Sequence, residues 1–292
     1  MEVAMTTRRI SPTVRRRRLA KILRDRRAEL GRTRGQAAEY VGVGAVTITR
    51  IESPTEGRPK LADVERYAHF LEFDETETEE LVQLARECKI KGWWQRLGGT
   101  FQDGYLTYIG LEEEAGELMQ FMCQAIPGLL QTRDYQRALL AAELHSWSKE
   151  ETEEKIEARQ TRQSRRLKDD PVECWFVFDE ACLRRRVGDD AVMREQLDHL
   201  VDVSRLDNVQ LQILPFANGP HPALAAGSFT VLRFPDQRDP AVVYREVVSG
   251  LFLEDEEQVR MHIRLFDQLK AHAAGPAESR ELIRAIAVEL PR

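Results

Sequence analysis

The eleven residues GVGAVTITRIE (42–52) decide how the first third of this chain folds. Ile48 and Ile51 stand three apart, which puts them on one face of a helix. Ala45, Val46, Thr49 and Arg50 then fall largely on the outer face. A short helix is expected from Ala45 to Glu52, with Gly42 in the turn before it. Thr33 is a good N-cap for another helix over 34–41, in which Ala37, Ala38 and Val41 face inward. Further upstream, Ser11 and Pro12 sit where an N-cap and a first-turn proline begin a helix. Leu19, Ile22, Leu23 and Leu30 give that helix an apolar stripe, and Gly31 can end it. Downstream, residues 53–59 form a Pro/Gly-rich connection. Leu61, Val64, Tyr67, Ala68 and Leu71 specify a fourth helix. A fifth covers about 77–88, with Leu81, Leu84 and Ala85 inside.

A small-residue helix, a glycine turn and a short helix can cross steeply, as in a helix-turn-helix. Ala37 stands where a larger side chain would obstruct the crossing, and Ile48 plugs the space between the helices. Charge points the same way. The chain carries a net −6, yet residues 1–60 hold fifteen Arg or Lys against six Asp or Glu. A basic end on an acidic body directs that end toward polyanions. The row Arg15 to Arg18, with Lys21, Arg24, Arg26 and Arg27, suits a phosphate backbone; the bland alternative is that these arginines solvate helix faces. The candidate DNA-contacting residues are Arg15, Arg16, Arg18, Arg34, Gln36, Ala45, Val46, Thr47, Thr49 and Arg50. Arg50 reaches guanine or phosphate, Thr47 and Thr49 offer hydroxyls, and Val46 suits a thymine methyl. Because the leading edge is Gly44, Ala45 and Val46, direct readout is expected to be sparse. Specificity then rests on DNA shape and on two copies binding together as a homodimer.

From Trp93 the texture changes. WWQRLGGTFQDGYLTYIGLE (93–112) is aromatic and glycine-containing. Helices are expected over 112–118, 132–143, 149–167, 180–186, 189–203, 255–272 and 276–288, and strands over 118–126, 172–178, 209–214, 227–233 and 241–247. The fold class is α+β multidomain: an all-α five-helix helix-turn-helix domain followed by a mixed α/β domain. The expected boundaries are a disordered basic arm at 1–12, the DNA-binding domain at 13–90, a connecting segment at 91–110, and a sensor, dimerisation or partner-binding domain at 111–292.

Chemistry in the second region is sparse. Glu112, Glu113 and Glu114 fan around a helix and read mostly as solvated first-turn charge, with Glu112 alone a candidate for facing inward. The candidate effector or partner site comprises Trp93, Trp94, Leu129, Leu130, Gln131, Arg133 and His221. Each has a plainer reading: the tryptophans pack against the first domain, and Leu129 and Leu130 plug a core beside a helix capped by Thr132. His221 lies in a long loop, 215–228, and is exposed or pocket-lining. Tyr244, Val247, Leu251 and Phe252 suit either a core strand or an interface. No nucleophile elbow, opposed carboxylate pair or nucleotide-binding glycine motif is present, so no enzyme activity, metal or cofactor is expected. Cys88, Cys123, Cys174 and Cys182 share no C-x-x-C spacing and read as buried thiols in a reducing compartment. No apolar run is long enough to span a membrane.

Residues 13–71, especially RGQAAEYVGVGAVTITRIES, resemble the Cro/lambda-repressor (xenobiotic-response-element) class of helix-turn-helix regulators. WWQRL, YIGLEEEA, PGLLQTRDYQRALL and LQILPFANGPHPALAAGSF resemble the carboxy-terminal domain that accompanies this reader in many actinobacterial, Streptomyces-type regulators. The resemblance implies a cytoplasmic transcriptional regulator bound to double-stranded DNA. It also implies an antitoxin-like role beside a small partner protein encoded nearby; the residues of the second domain separately leave a small-molecule effector open. Where the family's reading helix commonly begins S-Q-S, this chain has Gly44, Ala45 and Val46. The competing expectation is an interaction protein that sequesters the small partner and binds DNA for autoregulation.

Overall fold

Helix α1 (Pro12–Glu29) begins with proline at a position whose N–H would be unpaired in any case. The computed structural model describes residues 11–54, 58–245 and 251–291. The expected basic arm at 1–10, part of the 53–59 connection, and Val247 lie outside the described residues. Helix α2 (Arg34–Val41) opens with a reciprocal cap: Thr33 Oγ1 accepts the Gln36 N–H at 3.2 Å, and Gln36 Oε1 accepts the Thr33 N–H at 2.8 Å. It ends at Gly42, whose φ of 76° lies in the left-handed region that glycine enters without a Cβ penalty. Helix α3 (Ala45–Ile51) follows, then α4 (Leu61–Phe70) and α5 (Glu75–Glu87). The last of these starts earlier than its apolar pattern suggests, because Asp74 caps it and pairs reciprocally with Glu77. Leu19, Leu23, Ala37, Val41, Ile48, Ile51, Val64, Tyr67, Leu71 and Leu81 form one buried core.

The first compact unit comprises residues 1–96 together with Leu106–Glu114 and Asp236–Asp239. Two segments distant in sequence therefore belong with the helical bundle. The helix expected over 112–118 is α6 (Asp103–Glu114), and it ends before Leu118. Gly110 is required within this unit: a Cβ there would meet Thr13 Oγ1 at 2.1 Å and Thr13 Cβ at 2.8 Å.

The second unit, residues 97–105, 115–235 and 240–292, is a mixed α/β layer structure. Its strands are β1 (Glu117–Met122), β2 (Glu173–Asp179), β3 (Val209–Leu214), β4 (Phe229–Arg233), β5 (Val242–Arg245) and β6 (Leu251–Leu253). They form one sheet in the order β3-β2-β1-β4-β5-β6. The first three strands are parallel, and the remaining pairings are antiparallel. ELMQFM is a strand because it is paired on both edges, to β2 and β4; that pairing explains why the helix stops short of it. Between β1 and β2 run α7 (Arg133–Ala141) and α8 (Lys149–Ser164). Between β2 and β3 run α9 (Ala181–Arg184) and α10 (Asp190–Val203), and α11 (Glu256–His272) and α12 (Pro276–Glu289) close the chain. Phe121, Val177, Phe229, Val231, Val243, Phe266 and Leu269 make a core between the sheet and α11. Tyr244 and Phe252 are cross-strand partners with ring centroids 5.0 Å apart. Among the described residues, no helix is long and apolar enough to cross a membrane.

Candidate nucleic-acid interface

Burial of Ile48 and Ile51 turns the other face of α3 outward, exposing Ala45, Val46, Thr49 and Arg50 and half-exposing Thr47. Val46 is 65% exposed, so its methyl groups are presented on that face. Thr49 Oγ1 donates to the Ala45 carbonyl at 3.1 Å, so its hydroxyl faces outward only as an acceptor. Gln36 is exposed, but its carbonyl oxygen is held in the α2 cap, which leaves the NH2 group to donate.

Behind this face sits a buried carboxylate that the sequence reading did not single out. Glu52 follows Ile48 by four residues and is turned into the same interior. It accepts from Arg27 Nη2 at 3.0 Å, Arg34 Nε at 2.8 Å and the Tyr67 hydroxyl. Burial works against ionisation, but the bonds from Arg27, Tyr67 and Arg34 outweigh it and hold the Glu52 carboxyl below the usual range. Burial and the bond to Glu52 push the Tyr67 phenol well up. Arg34 is thus tethered to the residue that caps the C-terminal end of α3. The i, i+4 relation of Ile48 and Glu52 was the available signal.

The arginine row of α1 is placed otherwise than its charge suggested. Arg15, Arg16 and Arg18 are buried, at 1%, 6% and 5% exposure, and are not presented to a polyanion. Arg15 pairs with Glu114 and, at 3.0 Å, with Glu87. Arg18 Nε donates to Asp239 Oδ1 at 2.7 Å, and its Nη2 lies 2.9 Å from Asp236. Arg16 donates to the Arg50 carbonyl at the end of α3. The carboxylates that pair with Arg15 and Arg18 come from the end of α5, from α6 and from residues 236–239. Glu112, Glu113 and Glu114 are likewise buried rather than solvated, and they end α6 instead of starting a helix. Carboxylates at a helix C-terminus face the unfavourable end of the dipole; arginine and the Ser11 N–H, 2.8 Å from Glu114, offset this. Burial still pushes the Glu114 carboxyl up to about 7.

The effector candidates do not converge. Trp93 and Trp94 belong to the first unit, where they form an edge-on pair and Trp93 Nε1 donates to Glu113 at 3.2 Å. Leu129 and Leu130 are buried in a 3-10 turn, and Gln131 is buried and donates to the Ile126 carbonyl at 2.7 Å. These three hold the entry to α7, which Thr132 caps. Arg133 pairs with Glu153 at 2.9 Å and Glu157 at 2.6 Å on the surface. His221 lines a separate cavity with Cys123 and Asp179. All four cysteines are free; Cys88, Cys174 and Cys182 are buried, and Cys123 is half-buried.

Capped α2, the left-handed Gly42 turn and α3 with its outward Val46 and Arg50 define a helix-turn-helix, a structure consistent with DNA-binding regulation. Residues 18–81 match the helix-turn-helix domain family. Residues 105–285, more than half of the chain, match the family described as Domain of unknown function (DUF5753), and the chain belongs to that family. Comparison with curated proteins and with solved structures finds no match.

Proposed function

We propose that the chain is a sequence-specific DNA-binding transcriptional regulator that acts as a homodimer, with α3 in the major groove. Its activity is binding rather than catalysis, and its second unit binds an effector or a partner protein. The observation that carries the reading is the outward set on α3: Val46, Thr49 and Arg50 project from a helix whose other face is locked into the core. Exposed Arg34, tethered to Glu52, and exposed Gln36 flank that set and suit phosphate contacts. A seven-residue helix with few hydrogen-bonding side chains offers little direct readout, which favours paired half-sites about one helical turn apart.

A fluorescence titration against the duplex upstream of its own gene tests this. The upstream duplex is expected to bind more tightly than a scrambled duplex at physiological salt, and equal affinities would contradict the proposal. Arg50→Ala is expected to weaken binding to the upstream duplex by about 1–3 kcal/mol, read in the same titration.

A further inference from the structure

In open sheets with parallel strands, ligands bind outside the carboxyl ends of those strands. Here β1 ends beside Cys123, β2 ends at Asp179, and β3 runs into the 215–228 loop. These ends meet at a cavity of about 490 Å³, lined by Cys123, Asp179, Phe216, His221, Ala223 and Leu224 among others. Its size is within the range of small-molecule sites.

His221 carries the chemistry. Its side chain is 6% exposed, and Nε2 lies 3.2 Å from Asp179 Oδ2. The other Asp179 oxygen accepts the Ala181 N–H at 2.8 Å, which fixes the carboxylate plane. The imidazole also packs edge-to-face with Phe121, centroid to centroid 5.5 Å. A carboxylate only accepts, so in the neutral imidazole the proton belongs on Nε2 and Nδ1 is left as the acceptor. That Nδ1 is buried and has no hydrogen-bond partner among the described residues. An unmet buried acceptor is costly unless something supplies a donor. Phe216 and Leu224, which also line it, are 55% and 65% exposed and give the cavity an apolar rim. The charged side chain lining the cavity is the acidic Asp179, which discourages anions.

We infer that this cavity binds a small, mainly apolar molecule whose hydroxyl or N–H donates to His221 Nδ1. The inference rests on the effector part of the proposed function and is independent of DNA binding, because every element of the site lies in the second unit.

The test uses the full chain without DNA, with 2-naphthol and indole as probes and 2-methoxynaphthalene and N-methylindole as donor-free counterparts. Cys123 is the half-buried cysteine, so its alkylation by iodoacetamide, followed by mass spectrometry, reports occupancy. The donor probes are expected to slow that alkylation and to bind about tenfold or more tightly than their methylated counterparts. Nitrogen NMR of His221 is expected to show the proton on Nε2 and a perturbation of Nδ1 by the donor probes. His221→Phe keeps a ring against Phe121 and is expected to erase the discrimination. Asp179→Asn, by donating to Nε2, moves the ring proton to Nδ1 and is expected to reverse the preference. If both variants unfold, the wild-type probe comparison and nitrogen spectrum still decide. Equal binding of donor and methylated probes, no protection by either donor, or a proton resident on Nδ1 would each overturn the inference. Loss of sequence-specific DNA binding with the probe results intact would instead count against the DNA-reading role alone.

Discussion

Glu52→Gln is expected to destabilise the helical unit by about 3 kcal/mol, one of the two largest single-residue effects in this protein. The substitution is isosteric, so the loss is electrostatic: an amide replaces the carboxylate that accepts from Arg27, Arg34 and Tyr67 together. Arg27 and Arg34 keep partial access to water, which holds the loss toward the low end for broken buried pairs. The sign with pH follows from the depressed carboxyl. Its stabilisation is fully present above the unfolded value, near about 4.3, and disappears as pH falls through the lower folded value. The wild-type unit therefore loses stability on acidification below that point, and the variant shows a flatter dependence there. Hydrogen exchange of peptides spanning α3 and α4, measured across pH, reads this locally; unchanged protection in the variant would contradict it.

Arg15→Met is expected to destabilise the same unit by about 3–5 kcal/mol at pH 8, where the buried Glu114 carboxyl that it strands is ionised. That carboxyl is already pushed up to about 7 by burial. Its ionisation therefore opposes folding as pH rises from the unfolded carboxylate range through 7. Without Arg15 the folded value rises further, so the variant's deficit widens from pH 6 to pH 8. A phosphate-facing arginine would behave differently. Its loss would flatten the salt dependence of DNA binding by about 0.9 in log–log slope and leave stability nearly unchanged. The buried position predicts a lower melting temperature and an unaltered salt slope, measured under conditions where the variant remains folded.

These two residues also show where local sequence is informative. The five amino-terminal helices are legible because their signals are short-range: the Thr33 cap, the left-handed glycine at 42, and apolar spacings of three and four. Inward Ile48 and Ile51 follow from that spacing alone. The arginine row was ambiguous for the opposite reason. Its partners, Glu114 and Asp239, lie 99 and 221 residues away, and nothing in a local window separates a buried charge from a solvated one. Most strands of the second unit were recognisable from β-branched and aromatic runs. Their order was not, because pairing of β1 with both β2 and β4 is set by contacts across more than fifty residues. Similarly, nothing local pairs His221 with Asp179, which lies 42 residues away along the chain.

The most direct measurement places a photo-crosslinking p-benzoylphenylalanine at Val46, the exposed large apolar side chain on α3. With α3 in the major groove, irradiation is expected to attach the chain to the upstream duplex at defined base positions. Excess unlabelled upstream duplex is expected to suppress that product far more effectively than a scrambled duplex. Absence of crosslinks with DNA bound, or equal suppression by both competitors, would contradict a base-reading α3.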